Sequence, residues 1–186
     1  MSSVLTFNVG SSSLKIAYYQ QQQRVFSLNI DIKQQHASCT GQLPSSLLNW
    51  QSVGILSEDA CSVAQALCQQ YQVLPLVAHR LVHGGHYQQP VIINPETLAQ
   101  LQQLAPLCPL HQAPALAVIE ALAARLPALI QIAAFDTSFH SQQPALSFCY
   151  ALPLTLRNEG IRAYGFHGLS CQSIMRQLLT LNSKMA

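Results

Sequence analysis

Apolar residues come in short runs at the start of the chain and at helical spacing further on. Runs at 4–7, 14–19 and 25–30, with a polar turn at 20–24 between the last two, predict three short strands in an antiparallel meander. The polar stretch 31–46, rich in Gln and Ser, predicts a solvated loop. Ser57 is placed to cap a helix, Glu58 and Asp59 stand in its first turn, and Val63, Ala66, Leu67 and Tyr71 recur at helical spacing. A strand is expected over 74–82, ending at Gly84-Gly85, and Asn94-Pro95-Glu96 opens a helix to about residue 104. Residues 114–126 carry the clearest helical pattern, which Pro127 stops. Residues 129–135 suit a strand buried on both faces, with Asp136 at its end, and a last helix is expected from Ser170 toward Leu181. A meander followed by helix, strand, helices and strand describes an α/β domain with a mixed sheet.

At 186 residues the chain can bury one good core, as one large domain or as one domain with part of another. The charged fraction of 9% lies far below the usual ~25%, so neutral polar groups must carry the surface. The net charge of +2 comes from scattered residues, which excludes a nucleic-acid footprint or an anionic-membrane patch. No apolar run reaches the ~20 residues needed to cross a bilayer, and no basic segment precedes an apolar one at the N-terminus. Six cysteines without a Cys-x-x-Cys pair, several among apolar neighbours, fit a reducing cytoplasm.

Candidate chemistry begins with Asn8-Val9-Gly10-Ser11-Ser12-Ser13-Leu14-Lys15. A glycine and three hydroxyls in a tight turn, closed by a lysine, can surround one oxyanion with N–H groups, O–H groups and a cation. The spacing matches neither common glycine-rich nucleotide loop, and the flanks look like strand to strand, so an ordinary hairpin turn is the competing reading. In Ala78-His79-Arg80-Leu81-Val82-His83-Gly84-Gly85, strand alternation puts Arg80 and Val82 on one face, a pairing suited to a small carboxylate with an alkyl part. A structural ion pair is the alternative for Arg80. His79, His83 and His86 do not converge as a zinc site requires. Two prolines fix a loop around His111, just before a helix, where a lone histidine is more often a helix cap or a surface residue than a catalyst. Asp136 closes a buried strand at the edge where open α/β sheets place their sites, though it could simply cap the next turn. Tyr164-Gly165-Phe166-His167-Gly168 sets an imidazole between two glycines that permit close backbone approach.

In their order along the chain, Asn8 with the serine loop, the Arg80 segment, Pro-Leu-His111, Phe-Asp136-Thr and Gly-Phe-His167-Gly resemble the acetate kinase family, acyl-phosphate-forming members of the actin-like kinase superfamily. The resemblance runs from Val4 to about Ser170. It implies an actin-like, ribonuclease H-like domain over 1–150 and the start of a nucleotide-binding domain over 151–186. It also implies reversible transfer of the ATP γ-phosphoryl to acetate, with Mg²⁺ or Mn²⁺. Asn8 would help bind the metal, Lys15 would contact nucleotide phosphates, and Ser11 and Ser13 would line the same loop. Arg80 would hold the carboxylate, while Val82, Leu110 and Phe166 would form the apolar pocket for its methyl group. His111 and His167 would contact the phosphoryl in transit, His167 as transition-state stabiliser, and Asp136 would be the catalytic acid. A carboxylic acid with pKa near ~4 is already ionised at pH 7, so orienting the nucleophile or the metal shell suits Asp136 better than base catalysis. Acetate, acetyl phosphate, ATP and ADP, and a second copy in a homodimer, are the partners implied.

The family pattern also includes a second domain with adenosine-binding glycine loops, a second arginine and a metal-binding glutamate, none of which is found in these 186 residues. Val9 and His86 stand where a small residue and an acidic one are usual. The sequence thus looks like the first half of the enzyme, crippled alone. The alternatives are a non-catalytic remnant or split-chain partner that binds small carboxylates or phosphates, and a propionate or butyrate kinase.

Overall fold

The computed structural model describes residues 3–34, 36–71 and 75–185, without the side chains of 182–185. Strands β1 (Ser3–Val9), β2 (Ser13–Gln20) and β3 (Gln23–Asp31) form the expected meander, each extending past the apolar run that predicted it. Gln21 and Gln22 both turn with positive φ, 50° and 67°. This left-handed pair is what a two-residue hairpin needs to match strand twist, and the pairing on either side imposes it on residues that rarely choose it.

Strand β4 (His36–Gly41) pairs antiparallel with β3 inside the stretch expected to be loop. An edge strand needs a backbone partner on one side only, and this one is exposed almost throughout, so no apolar alternation betrays it. Helix α1 (Leu56–Tyr71) begins before Ser57, which therefore sits in its first turn with Glu58 and Asp59 and does not cap it. Strand β5 (Leu76–Leu81) follows; Leu74, the start expected for it, lies outside the described residues. Beyond the short strand β6 (Val91–Ile92), Asn94 caps helix α2 (Pro95–Gln103) as predicted. The Thr97 N–H donates to the Asn94 side chain and the Asn94 N–H to the Thr97 hydroxyl, each at 2.8 Å.

Helix α3 (Pro109–Arg125) starts five residues before the expected 114 and contains Pro114, which forfeits one backbone bond in its second turn. His111 therefore lies in a helical turn and not in a loop before one. Strand β7 (Gln131–Phe135) runs into a 3-10 turn at Asp136–His140, then come α4 (Ala145–Phe148), α5 (Leu154–Asn158) and the long α6 (Gly168–Met185). The seven strands form one mixed sheet in the order β4-β3-β2-β1-β5-β7-β6, with β1, β5 and β7 mutually parallel.

The two faces of the sheet differ. Leu5, Phe7, Ile16, Leu28, Val77 and Phe135 point toward α1 and α3 and form the core, each contributing about 1.5–3 kcal/mol by burial. Thr6, Asn8, Lys15, Ala17, Ser27 and Asn29 alternate with them and line a hollow on the other face. Asp59 carries a role its sequence position concealed. Fully buried, it accepts hydrogen bonds from the Ser52 hydroxyl at 2.5 Å and the Val53 N–H at 2.8 Å, tying the preceding loop onto α1. Asp59→Ala strands those donors and is expected to lower stability by about 2 kcal/mol in urea unfolding; a loss below about 0.5 kcal/mol would contradict the tether.

Candidate active site

Three parallel strands end side by side and bring three predicted residues together. Asn8 near the end of β1 is in register with Arg80 on β5, and Asp136 follows directly on β7. Arg80 donates to Asp136 Oδ2 through Nη2 at 2.5 Å and Nε at 3.1 Å, and through Nη1 to Asn8 Oδ1 at 3.2 Å. The Asp136 side chain is 1% exposed and that of Arg80 26%. Arg80 thus makes the ion pair that was its alternative role, with the guanidinium rim still partly open to solvent. The Leu169 N–H, in the first turn of α6, approaches Asp136 Oδ1 at 3.4 Å.

Lys15 pairs with Asn8 across the β1–β2 ladder, and both line the hollow on the open face. The connecting loop closes through a 2.8 Å bond from the Gly10 N–H to the Ser13 carbonyl. A Cβ at Gly10 would stand 2.8 Å from Ser13 Oγ, so the glycine lets that hydroxyl approach the backbone. Ser11 is exposed and Ser13 half-buried.

His167 is exposed, has a φ of 58°, and leads into α6, its carbonyl accepting the Cys171 N–H at 3.0 Å. Both flanking glycines are explained by contact. A Cβ at Gly168 would fall 1.9 Å from the Asp136 carbonyl oxygen, and one at Gly165 2.4 Å from the His140 ring. The backbone carrying His167 is therefore pressed against the turn that carries Asp136. His140 Nε2 lies 3.1 Å from the Phe166 carbonyl and holds the same segment.

The remaining predicted residues are not gathered here. Val82 is buried while Leu110 and Phe166 are 71% and 44% exposed, so the three do not enclose an apolar pocket. His111 is exposed on the first turn of α3. Two buried glutamines carry no sequence signal in a chain with many exposed ones. Gln112 clamps the His83 backbone, donating to its carbonyl at 2.9 Å and accepting from its N–H at 3.2 Å. Gln131 binds His79 Nε2 at 2.8 Å, and complete burial pulls the His79 pKa down to about 4. Burial also lowers the pKa of His83.

Asn8 and Asp136 are hard oxygen donors of the kind Mg²⁺ accepts. Among the described residues no group of three or more His, Cys, Asp or Glu is placed to cage a metal. This set fits an ion held largely by phosphate oxygens and water, with protein donors on one side. No described helix is long and apolar enough to cross a membrane.

Comparison with known proteins bears on the family of the chain. The model of the Acetokinase family matches residues 3–185. An acetate kinase of Sulfurovum sp. (strain NBC37-1) is 36% identical over 176 residues, covering 90% of this chain and 44% of that protein. One of Rhodopseudomonas palustris (strain TIE-1) is 36% identical over 196 residues, covering 94% and 47%. The crystal structure of acetate kinase from Entamoeba histolytica superposes with a TM-score of 0.73 at 29% identity, covering 97% of this chain and 46% of that one. A propionate kinase from Francisella tularensis gives 0.77 at 25% identity, covering 98% and 50%. The chain spans about half the length of the curated relatives it matches. With its family motifs on the edge of the sheet that open α/β folds use for ligands, the chain belongs to the acetokinase family.

Proposed function

We propose that this chain supplies the carboxylate- and metal-facing wall of an acetate kinase site, for reversible transfer of the ATP γ-phosphoryl to acetate. The observation that carries the reading is the convergence of Asn8, Arg80 and Asp136 at the ends of three parallel strands. Phosphoryl transfer asks mainly for positioning and for donors aimed at charge on the transferring group. Arg80 provides a cation whose solvent-facing rim can take a carboxylate, and Asp136 fixes the position of that cation. Lys15, Ser11 and Ser13 face the nucleotide phosphates, and His167 and His111 the group in transit. Val82, Leu110 and Phe166 contact the acyl methyl once the opposite wall closes over them. Asn8, with Asp136 beside it, would hold Mg²⁺, whose contribution when bound is to neutralise phosphate charge. Residues 1–150 form the actin-like domain and 151–186 the start of the nucleotide-binding one. This division is supported by Gly168 alone being buried between 151 and 181.

The test is a titration of the purified chain with acetyl phosphate, followed by backbone amide shifts. Saturable shifts at Asn8, Arg80 and His167 are expected, and Arg80→Ala should weaken binding at least tenfold, about 1.4 kcal/mol. Unchanged affinity in Arg80→Ala, or shifts confined to other segments, would remove the reading. Tighter binding of propionyl phosphate would favour propionate as the acceptor. In a hydroxamate assay with acetate and ATP the chain alone is expected to give no turnover.

A further inference from the structure

A second polar cavity lies behind the His167 segment, and none of the residues proposed above to contact substrate, nucleotide or metal lines it. It encloses about 180 Å³, and Gly85, Gln88, Thr137, Ser141, Arg162 and Tyr164 are among its lining residues. At ~30 Å³ per water molecule this admits a small polyatomic ion with part of its hydration shell. The lining contains an arginine and no aspartate or glutamate.

Arg162 is the unusual member. Its guanidinium lies over the Phe148 ring at 3.8 Å and 5.4 Å from the Tyr164 centroid, so its flat faces are occupied by aromatic carbon. Its edge is not. Nε is buried with no hydrogen-bond partner among the described residues, and their two ion pairs, Arg80–Asp136 and Arg125–Glu58, leave Arg162 without a carboxylate. Leaving that donor desolvated and unpaired is costly, and an oxyanion is the group that fits a planar guanidinium edge. The rest of the wall is biased toward donation. Thr137 Oγ1 already accepts the Gly84 N–H at 3.0 Å, which leaves its proton to give. Gln88 Oε1 accepts from Gln142 at 3.0 Å, which leaves the Gln88 amide hydrogens to give.

We infer that this cavity is a binding site for a small oxyanion of the inorganic phosphate type. Because Gly165 lines it and His140, also in its wall, holds the Phe166 carbonyl, an ion there braces the backbone that carries His167.

The experiment is a titration of the folded chain with inorganic phosphate, read from the amide shifts of Ala163 and Gly165. Saturation is expected, with at least a tenfold loss of affinity in Arg162→Gln and a change of less than about twofold in Arg80→Gln. The second variant separates this cavity from phosphate taken up near Asn8 and Lys15. Equal affinity in Arg162→Gln, shifts that rise without saturating, or the same saturation with chloride would overturn the inference. Tighter saturation by acetate than by phosphate would overturn the phosphate assignment. If Arg162→Gln fails to fold, Arg162→Lys decides, since it keeps the charge but loses the planar fork: a several-fold loss supports the site and wild-type affinity refutes it.

Discussion

Gly168→Ala is expected to destabilise the chain by about 3 kcal/mol or more, beyond the usual range for overpacking because the obstacle is backbone. The added Cβ would lie 1.9 Å from the Asp136 carbonyl oxygen and 2.6 Å from Phe139 Cβ. Neither can rotate away, so α6 must lift off the Asp136–His140 turn. Gly160→Ala is the control. It meets nothing within 4 Å and bears only the cost of a φ of 87°, about 1 kcal/mol. Urea unfolding of both variants measures the difference. If the Gly168 variant loses no more than the Gly160 variant, the close approach does not exist. The displacement should also separate His167 from the Arg80–Asp136 pair, so acetyl phosphate shifts at His167 should vanish while those at Asn8 persist.

The second large effect is a loss of stability on acidification centred on His79. Its Nε2 partner is the Gln131 side-chain oxygen, because the Gln131 amide hydrogens serve the Ile119 carbonyl at 3.2 Å. The imidazole therefore donates from Nε2 and leaves Nδ1 bare, buried and without a partner among the described residues. Charging the ring would require a proton on Nδ1 with nothing to receive it. The pKa accordingly falls from 6.5 to about 4 in the folded chain. The sign follows from proton counts. Between pH 6.5 and about 4 the unfolded chain binds the proton and the folded one does not, so stability is full above pH 6.5 and drains away as pH drops toward 4. The fall from 6.5 to about 4 corresponds to about 3 kcal/mol. His83, shifted the same way, adds to it. His79→Gln, which can keep a hydrogen bond to Gln131, should show a visibly shallower decline in urea midpoint from pH 7 to pH 5. Parallel curves for the two proteins would show that His79 is not the cause.

How much was legible in the sequence depended on what each element asks of its residues. The meander, α2 and β7 announce themselves because burial of one face, or a cap such as Asn94 with Pro95, constrains residue type directly. Strand β4 does not, because backbone pairing with β3 tolerates its exposed Ser38 and Thr40. Pro114 marked the wrong boundary, since Pro109 supplies the favoured first helical position and the later proline is absorbed. At the site, strand-end chemistry points to Arg80 and Asp136 and the family resemblance to Asn8, and the structure joins the three. The expected grouping of Val82, Leu110 and Phe166 is not seen, because sequence spacing does not report burial, and Leu110 and Phe166 are exposed while Val82 is buried. Gln112 and Gln131 stayed hidden because burial, not identity, distinguishes them from their surface counterparts.

The alternation along β1 has a further meaning. Phe7 in the core and Asn8 at the site are successive residues of one strand, and Ile16 with Lys15 repeat the arrangement on its neighbour. Sliding β1 by a single residue would carry Asn8 into the core and Phe7 into water. Misalignment of the candidate site is thus inseparable from collapse of the core, and any folded copy of this chain is born with Asn8 and Lys15 in register.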